Sequence, residues 1–107
     1  MAEQVIRVSS KVRPTRYIFD AKVVLCKHSQ VELHAVGGSI VSALRTADRL
    51  IELGYASLAR LQTERVEDAR DDAARVASKL VVTLQKSDRF DVLDEEFEKQ
   101  KAARSQL

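Results

Sequence analysis

Between Val31 and Tyr55 the apolar residues change their repeat, and that change limits what the chain can become. "VELHAVGG" (31–38) alternates, with Val31, Leu33 and Ala35 on one side and Glu32 and His34 on the other. A two-residue repeat of this kind belongs to a strand with one buried face. Beyond the glycine pair the repeat lengthens. Ile40, Leu44, Ala47 and Ile51 share one helical stripe over 39–53, Val41, Ala43 and Leu50 widen it, and Gly54 supplies a stop. Gly37 and Gly38 read as a turn that needs a positive φ, with Ser39 as the helix N-cap.

The same switch recurs on either side. "VIRVSS" (5–10) is a β-rich run, and Pro14 suits a first helical turn, where its missing N–H costs nothing. Tyr17, Ile18, Ala21, Val24 and Leu25 then mark an amphipathic helix, with Cys26 expected as a buried thiol inside the same pattern. "YASLARLQTERV" (55–66) reads as a strand whose alternation slips near Ala59, the signature of a bulge. "EDARDDAA" (67–74) is a polar connection, and "RVASKLVVTLQK" (75–86) alternates again. The order β-α-β-α-β-β predicts an α+β fold in two layers: a four-stranded mixed sheet, two helices on one face, and a long hairpin between the last two strands. Residues 1–87 form this domain. Residues 88–107 are a charged C-terminal tail, partly helical or disordered, with one short helix anchored by Phe90 and Leu93.

Composition narrows the function classes. The chain has 107 residues, 45% of them hydrophobic and 32% charged, which suits one folded domain. No apolar run reaches the ~18 residues of a membrane span, and "MAEQVIRVSS" lacks a secretory apolar segment. A single cysteine fits a reducing compartment, cytoplasm and nucleus. Cys26, His28 and His34 do not make a metal set, because two further convergent ligands are lacking. No Ser–His–Asp, paired-carboxylate or reactive-cysteine arrangement emerges. The expectation is therefore no enzyme, no cofactor and no small-molecule substrate.

The formal net charge of +2 conceals an uneven spread. Residues 1–50 hold eight Lys or Arg against four Asp or Glu, whereas residues 51–107 hold ten against twelve. The densest positive run, "RVSSKVRPTRY" (7–17), leads into the first helix. Lys11, Arg13 and Arg16 there suit phosphate oxygens, the arginines as planar forks and the lysine as a point charge. Ser9, Ser10 and Thr15 add hydroxyl donors. Tyr17 belongs to the core stripe. Phe19 falls off it, placed either to stack on a base or to pack against the tail or a partner.

"IRVSSKV…Y", "VELHAVGGSIVSALRTADRLIELGY" and "VVTLQKSDRFDVL" together resemble the Alba family of small nucleic-acid-binding proteins, nearest to the short members of protozoa and plants. The resemblance covers about residues 5–93. It implies binding to DNA, RNA or RNA–DNA hybrids with little sequence preference, in chromatin organisation or in RNA and translation regulation. It also implies a homodimer, or a heterodimer with another Alba-type subunit. Lys11 matches the first position of the family's basic pair, in some members a target of acetylation, while Val12 stands at the second. Val36-Gly37-Gly38 stands where archaeal members have a basic-glycine-basic turn, and Arg70 and Arg75 share the hairpin arm with several acids. The nucleic-acid-binding set expected on this basis is Lys11, Arg13, Arg16, Gly37, Gly38, Arg70 and Arg75. Two other readings stand beside it: a structural RNA-binding subunit of a ribonucleoprotein of the RNase P or MRP kind, and a protein-interaction module using the acidic tail. The apolar width of the second helix, together with Val81, predicts an oligomeric contact.

Overall fold

The computed structural model describes residues 4–68 and 75–105. The elements are β1 (Val5–Arg7), α1 (Pro14–His28), β2 (Gln30–Val36), a 3₁₀ turn (Gly37–Ser39), α2 (Ile40–Glu52), β3 (Ala56–Asp68), β4 (Arg75–Lys86) and α3 (Phe90–Ser105). The sheet order is β1-β2-β4-β3. β1 runs parallel to β2, and the other two pairings are antiparallel. The expected mixed four-stranded sheet and long β3–β4 hairpin are both present, and the register slips between Leu58 and Arg60, at the bulge the alternation predicts.

Strand parity decides what is buried. Val31, Leu33 and Ala35 of β2 share a face with Leu80, Val82 and Leu84 of β4, and all are core residues. α1 covers the β1–β2 side through Tyr17, Ala21 and Leu25, while α2 lies towards β4 and β3 with Ala43, Ala47 and Leu50. Thr46, the one fully buried polar residue on α2, donates its hydroxyl to the carbonyl of Ser42 at 2.8 Å, the usual way a helix hides a threonine. α2 ends in a Schellman motif. Gly54 takes φ +90°, its N–H reaches the Ile51 carbonyl, and the Tyr55 N–H reaches that of Leu50.

Several local expectations need correction. β1 ends at Arg7 rather than Ser10. Val8 still donates to the His34 carbonyl at 2.8 Å, but the next N–H, that of Ser9, turns to the Tyr17 hydroxyl oxygen at 2.8 Å. Ser39 is not an N-cap of the expected kind, since its backbone is already helical and its side chain makes no cap hydrogen bond. The tight turn before it takes over the entry to α2, and of the glycine pair Gly37 alone takes positive φ, +58°. Cys26 is exposed rather than buried. The apolar stripe of α1 is wider than the contact it makes, and Cys26 lies just past Leu25 on the outer side.

α3 is also longer than the short helix expected after Lys86. Phe90 is 1% exposed and meets the Tyr55 ring edge-on at 5.4 Å, so the helix begins inside the core. Lys22 pairs with Asp94 at 3.3 Å and Lys86 with Asp91 at 3.1 Å. Beyond that seam, residues of high intrinsic helix propensity and the Glu95–Lys99 pair carry the helix on with little burial. Among the described residues no helix is long and apolar enough to cross a membrane.

Candidate nucleic-acid interface

The turn joining β1 to α1 is built by its serines and by Val12. Ser9 Oγ accepts the N–H of Lys11 at 3.2 Å, and the Ser9 carbonyl accepts that of Val12 at 3.4 Å. Val12 is half-buried and packs on the core cluster. With Val12 turned inward, its neighbours Lys11 and Arg13 face solvent, and Arg16 is exposed in the first turn of α1. Among the described residues, Arg7, Lys11, Arg13 and Arg16 form no ion pair. The apolar residue at the second basic position is thus the anchor of the turn. That role could have been read from its place between two cations in a chain that must re-enter the core at Tyr17.

Other expected site residues are less gathered. Gly37 and Gly38 lie at the end of β2, and a Cβ added at Gly38 would meet nothing within 4 Å, so nothing inside the chain demands glycine there. Arg75 opens β4 opposite Asp68, and Arg70 lies outside the described residues. The described part of the arm has mixed charge, with Lys79 3.9 Å from Glu64. Phe19 is 62% exposed, and it lines a groove between α1 and α3 with Val23, Cys26 and Phe97. That places it beside the tail helix while leaving most of the ring open to solvent. Val81 is only 6% exposed and adds nothing to an oligomeric surface. Among the described residues no cluster of three or more His, Cys, Asp or Glu is placed to hold a metal.

A feature the linear sequence hides lies on the face of the sheet opposite the helices. Arg7, His34, Val36, Val66 and Lys79 share that face by register and line a cleft of about 440 Å³. They come from four strands, so no local pattern announces them. The signal available was strand parity, which puts Arg7 and His34 on the side away from Leu33.

No protein-family model and no curated protein matches the chain. Solved structures do. ALBA1 from Trypanosoma brucei superposes with a TM-score of 0.84 at 21% identity, covering 96% of this chain and 86% of that one. The fold is that of the Alba proteins. Alba from Thermoplasma volcanium superposes less closely, with a TM-score of 0.67 at 15% identity, over 77% of this chain and 99% of its own. At these identities the likeness is one of architecture. The Alba fold places the basic turn and the hairpin arm on one frame but does not say what either touches.

Proposed function

We propose that this chain binds nucleic acid as a dimer, with little sequence preference and without catalysis. The observation that carries the reading is the β1–α1 turn of an Alba fold: three exposed cations, held outward by Val12 and paired with no acid among the described residues. Phosphate contacts of this kind position a backbone without reading its sequence. The positive end of the α1 dipole adds to the attraction, although Pro14 carries no N–H and that of Arg16 is already donated to the Arg13 carbonyl. Arg70 and Arg75 extend the contact along the arm, and the Gly37–Gly38 turn admits a backbone closely. Chromatin organisation and RNA or translation regulation, in nucleus and cytoplasm, are the settings this binding suits. Acetylation of Lys11 would weaken it by removing a charge.

Dimerisation is supported by an exposed apolar surface. Val41 and Leu44 on α2, and Leu58, Leu61 and Val76 on the helix side of the hairpin, are each more than two-fifths exposed. A surface of this size suits a second Alba-type subunit, identical or not. Leu44→Glu is expected to convert the dimer to monomer in analytical ultracentrifugation, and a wild-type chain monomeric at micromolar concentration would end this part of the reading.

The binding itself is tested by titrating affinity against salt for duplex DNA, single-stranded RNA and a hybrid. Each phosphate no longer neutralised flattens the log–log slope by ~0.9 on duplex and ~0.7 on a single strand. Replacing Lys11, Arg13 and Arg16 together by alanine is expected to flatten it by the equivalent of about two to three phosphates for each protomer in contact. An unchanged slope would move the site elsewhere. Strong preference for one folded RNA, with an obligate unlike partner, would favour the ribonucleoprotein-subunit reading.

A further inference from the structure

We propose that the cleft on the bare face of the sheet is a second contact site, one that receives a single unpaired nucleotide of the bound strand. The inference rests on the nucleic-acid reading above but uses none of the three cations of the basic turn, Lys11, Arg13 and Arg16. Parity and register assemble the cleft. Arg7 pairs with His34 across the parallel β1–β2 contact, Val36 faces Lys79 across β2–β4, and Val66 stands on the same face of β3. Ser9 and Ser39 complete the polar part of the lining, and among the described residues no carboxylate lines it. The nearest acids are Glu64, 3.9 Å from Lys79, and Glu32, 3.7 Å from His34 Nε2. Arg7 has no ion-pair partner among the described residues.

The volume and the chemistry of the walls choose the ligand. A space of about 440 Å³ is within the ~300–1,000 Å³ of small-molecule sites. A duplex running past would place phosphates at the rim and leave Val36 and Val66 uncovered. A nucleotide turned inward would set its phosphate against the guanidinium of Arg7, beside the Lys79–Glu64 pair, and its base against the two valines. The buried Nε2 of His34 points towards Glu32, 3.7 Å away, and not into the cleft, so the imidazole serves as wall rather than as a hydrogen-bonding group. A base in a duplex must be unstacked before it can enter, at a cost of ~2–3 kcal/mol, whereas a single strand or frayed end is spared most of that. The cleft therefore favours unpaired over paired nucleic acid.

The test has two arms on the full chain. In the first, AMP and UMP are titrated into isotopically labelled protein, with inorganic phosphate as control. The nucleotides are expected to move the backbone resonances of Arg7, His34, Val36 and Lys79, and phosphate alone to move chiefly the Lys11–Arg16 turn. In the second, Val66→Trp and Val36→Phe fill the cleft from different strands, with circular dichroism confirming the fold. Either is expected to weaken binding of a single-stranded oligonucleotide by about tenfold, within the range for removing one stacked base, while blunt duplex binding stays within about twofold. Nucleotide shifts confined to the turn, or folded variants that bind both substrates as wild type or lose both equally, would overturn the cleft. Nucleotide binding at the cleft with no oligonucleotide bound anywhere would overturn the broader reading and, with it, the bound-strand part of this proposal, leaving a site for free nucleotides.

Discussion

The turn before α1 and the seam beneath α3 carry similar numbers of positive charges, and only one of them has charge to give away. At the seam, Lys22 sits 3.3 Å from Asp94, with its ammonium 4.3 Å from the centre of the Tyr55 ring and 4.4 Å from that of Phe97. Lys86 is held likewise, 3.1 Å from Asp91 and 5.1 Å from the Phe90 ring centre. At the turn, Lys11, Arg13 and Arg16 are exposed and have no ion-pair partner among the described residues. Charge density along the sequence singles out the turn, but it does not say which cations the fold pairs. What separates them is whether the fold has already supplied each cation with a partner. A cation so supplied stabilises the fold, while one left free is open to an outside anion.

The contrast predicts opposite responses to mutation, and the largest is at the seam. Phe90→Ala removes the ring that begins α3 inside the core. It is expected to cost about 3–5 kcal/mol, the usual range for an aromatic residue deleted from a core, measured by chemical denaturation. Alanine at Lys11, Arg13 and Arg16 is expected to change stability by no more than ~0.5 kcal/mol per site, as for ordinary surface positions. A large stability loss at the turn would erase the distinction.

A smaller effect isolates charge at the seam. Lys22→Met keeps the aliphatic stem and removes the ammonium from the carboxylate and both rings. Asp94 is 37% exposed, so the ion pair is partly screened and contributes at the low end. With the two ring contacts the expected loss is about 1–2 kcal/mol. Nucleic-acid affinity and its salt slope should not move, because Lys22 is already partnered. A flatter slope for this variant would mean that the α1–α3 side also contacts phosphates.

How far these regions are legible in the sequence depends on the range of the interactions that define them. The alternation of Val31, Leu33 and Ala35 is local, and so is the slip at Ala59, so β2, β4 and the bulge lie where the periods place them. Cys26 departs from expectation because the apolar width of α1 exceeds its buried face, and only the packed sheet reveals which edge is covered. α3 outruns its expected length because its outer turns depend on backbone propensity and side-chain pairs rather than on an apolar stripe. The bare-face cleft is invisible for a further reason. It requires β4 to lie between β2 and β3, a long-range pairing that brings Lys79 and Val66 to Val36.

The smallest expected effect bears most directly on what makes the turn a site. Val12 carries no charge, yet it packs on the core cluster and holds the two adjacent cations outward. Val12→Ala should cost about 1 kcal/mol of stability, since the side chain is only half-buried and full burial of a valine brings ~1.5–3. It leaves every cation in place, so the number of phosphates neutralised, and hence the salt slope, should be unchanged. Affinity should nevertheless fall by about two- to fivefold, because a loosened turn must be ordered on binding at a cost of ~0.5–1 kcal/mol. Triple alanine is expected to do the reverse, flattening the slope without destabilising the fold. If Val12→Ala lowers stability and leaves affinity untouched, the shape of the turn is irrelevant and cationic density alone suffices. The difference between turn and seam would then reduce to pairing, with no part for preorganisation.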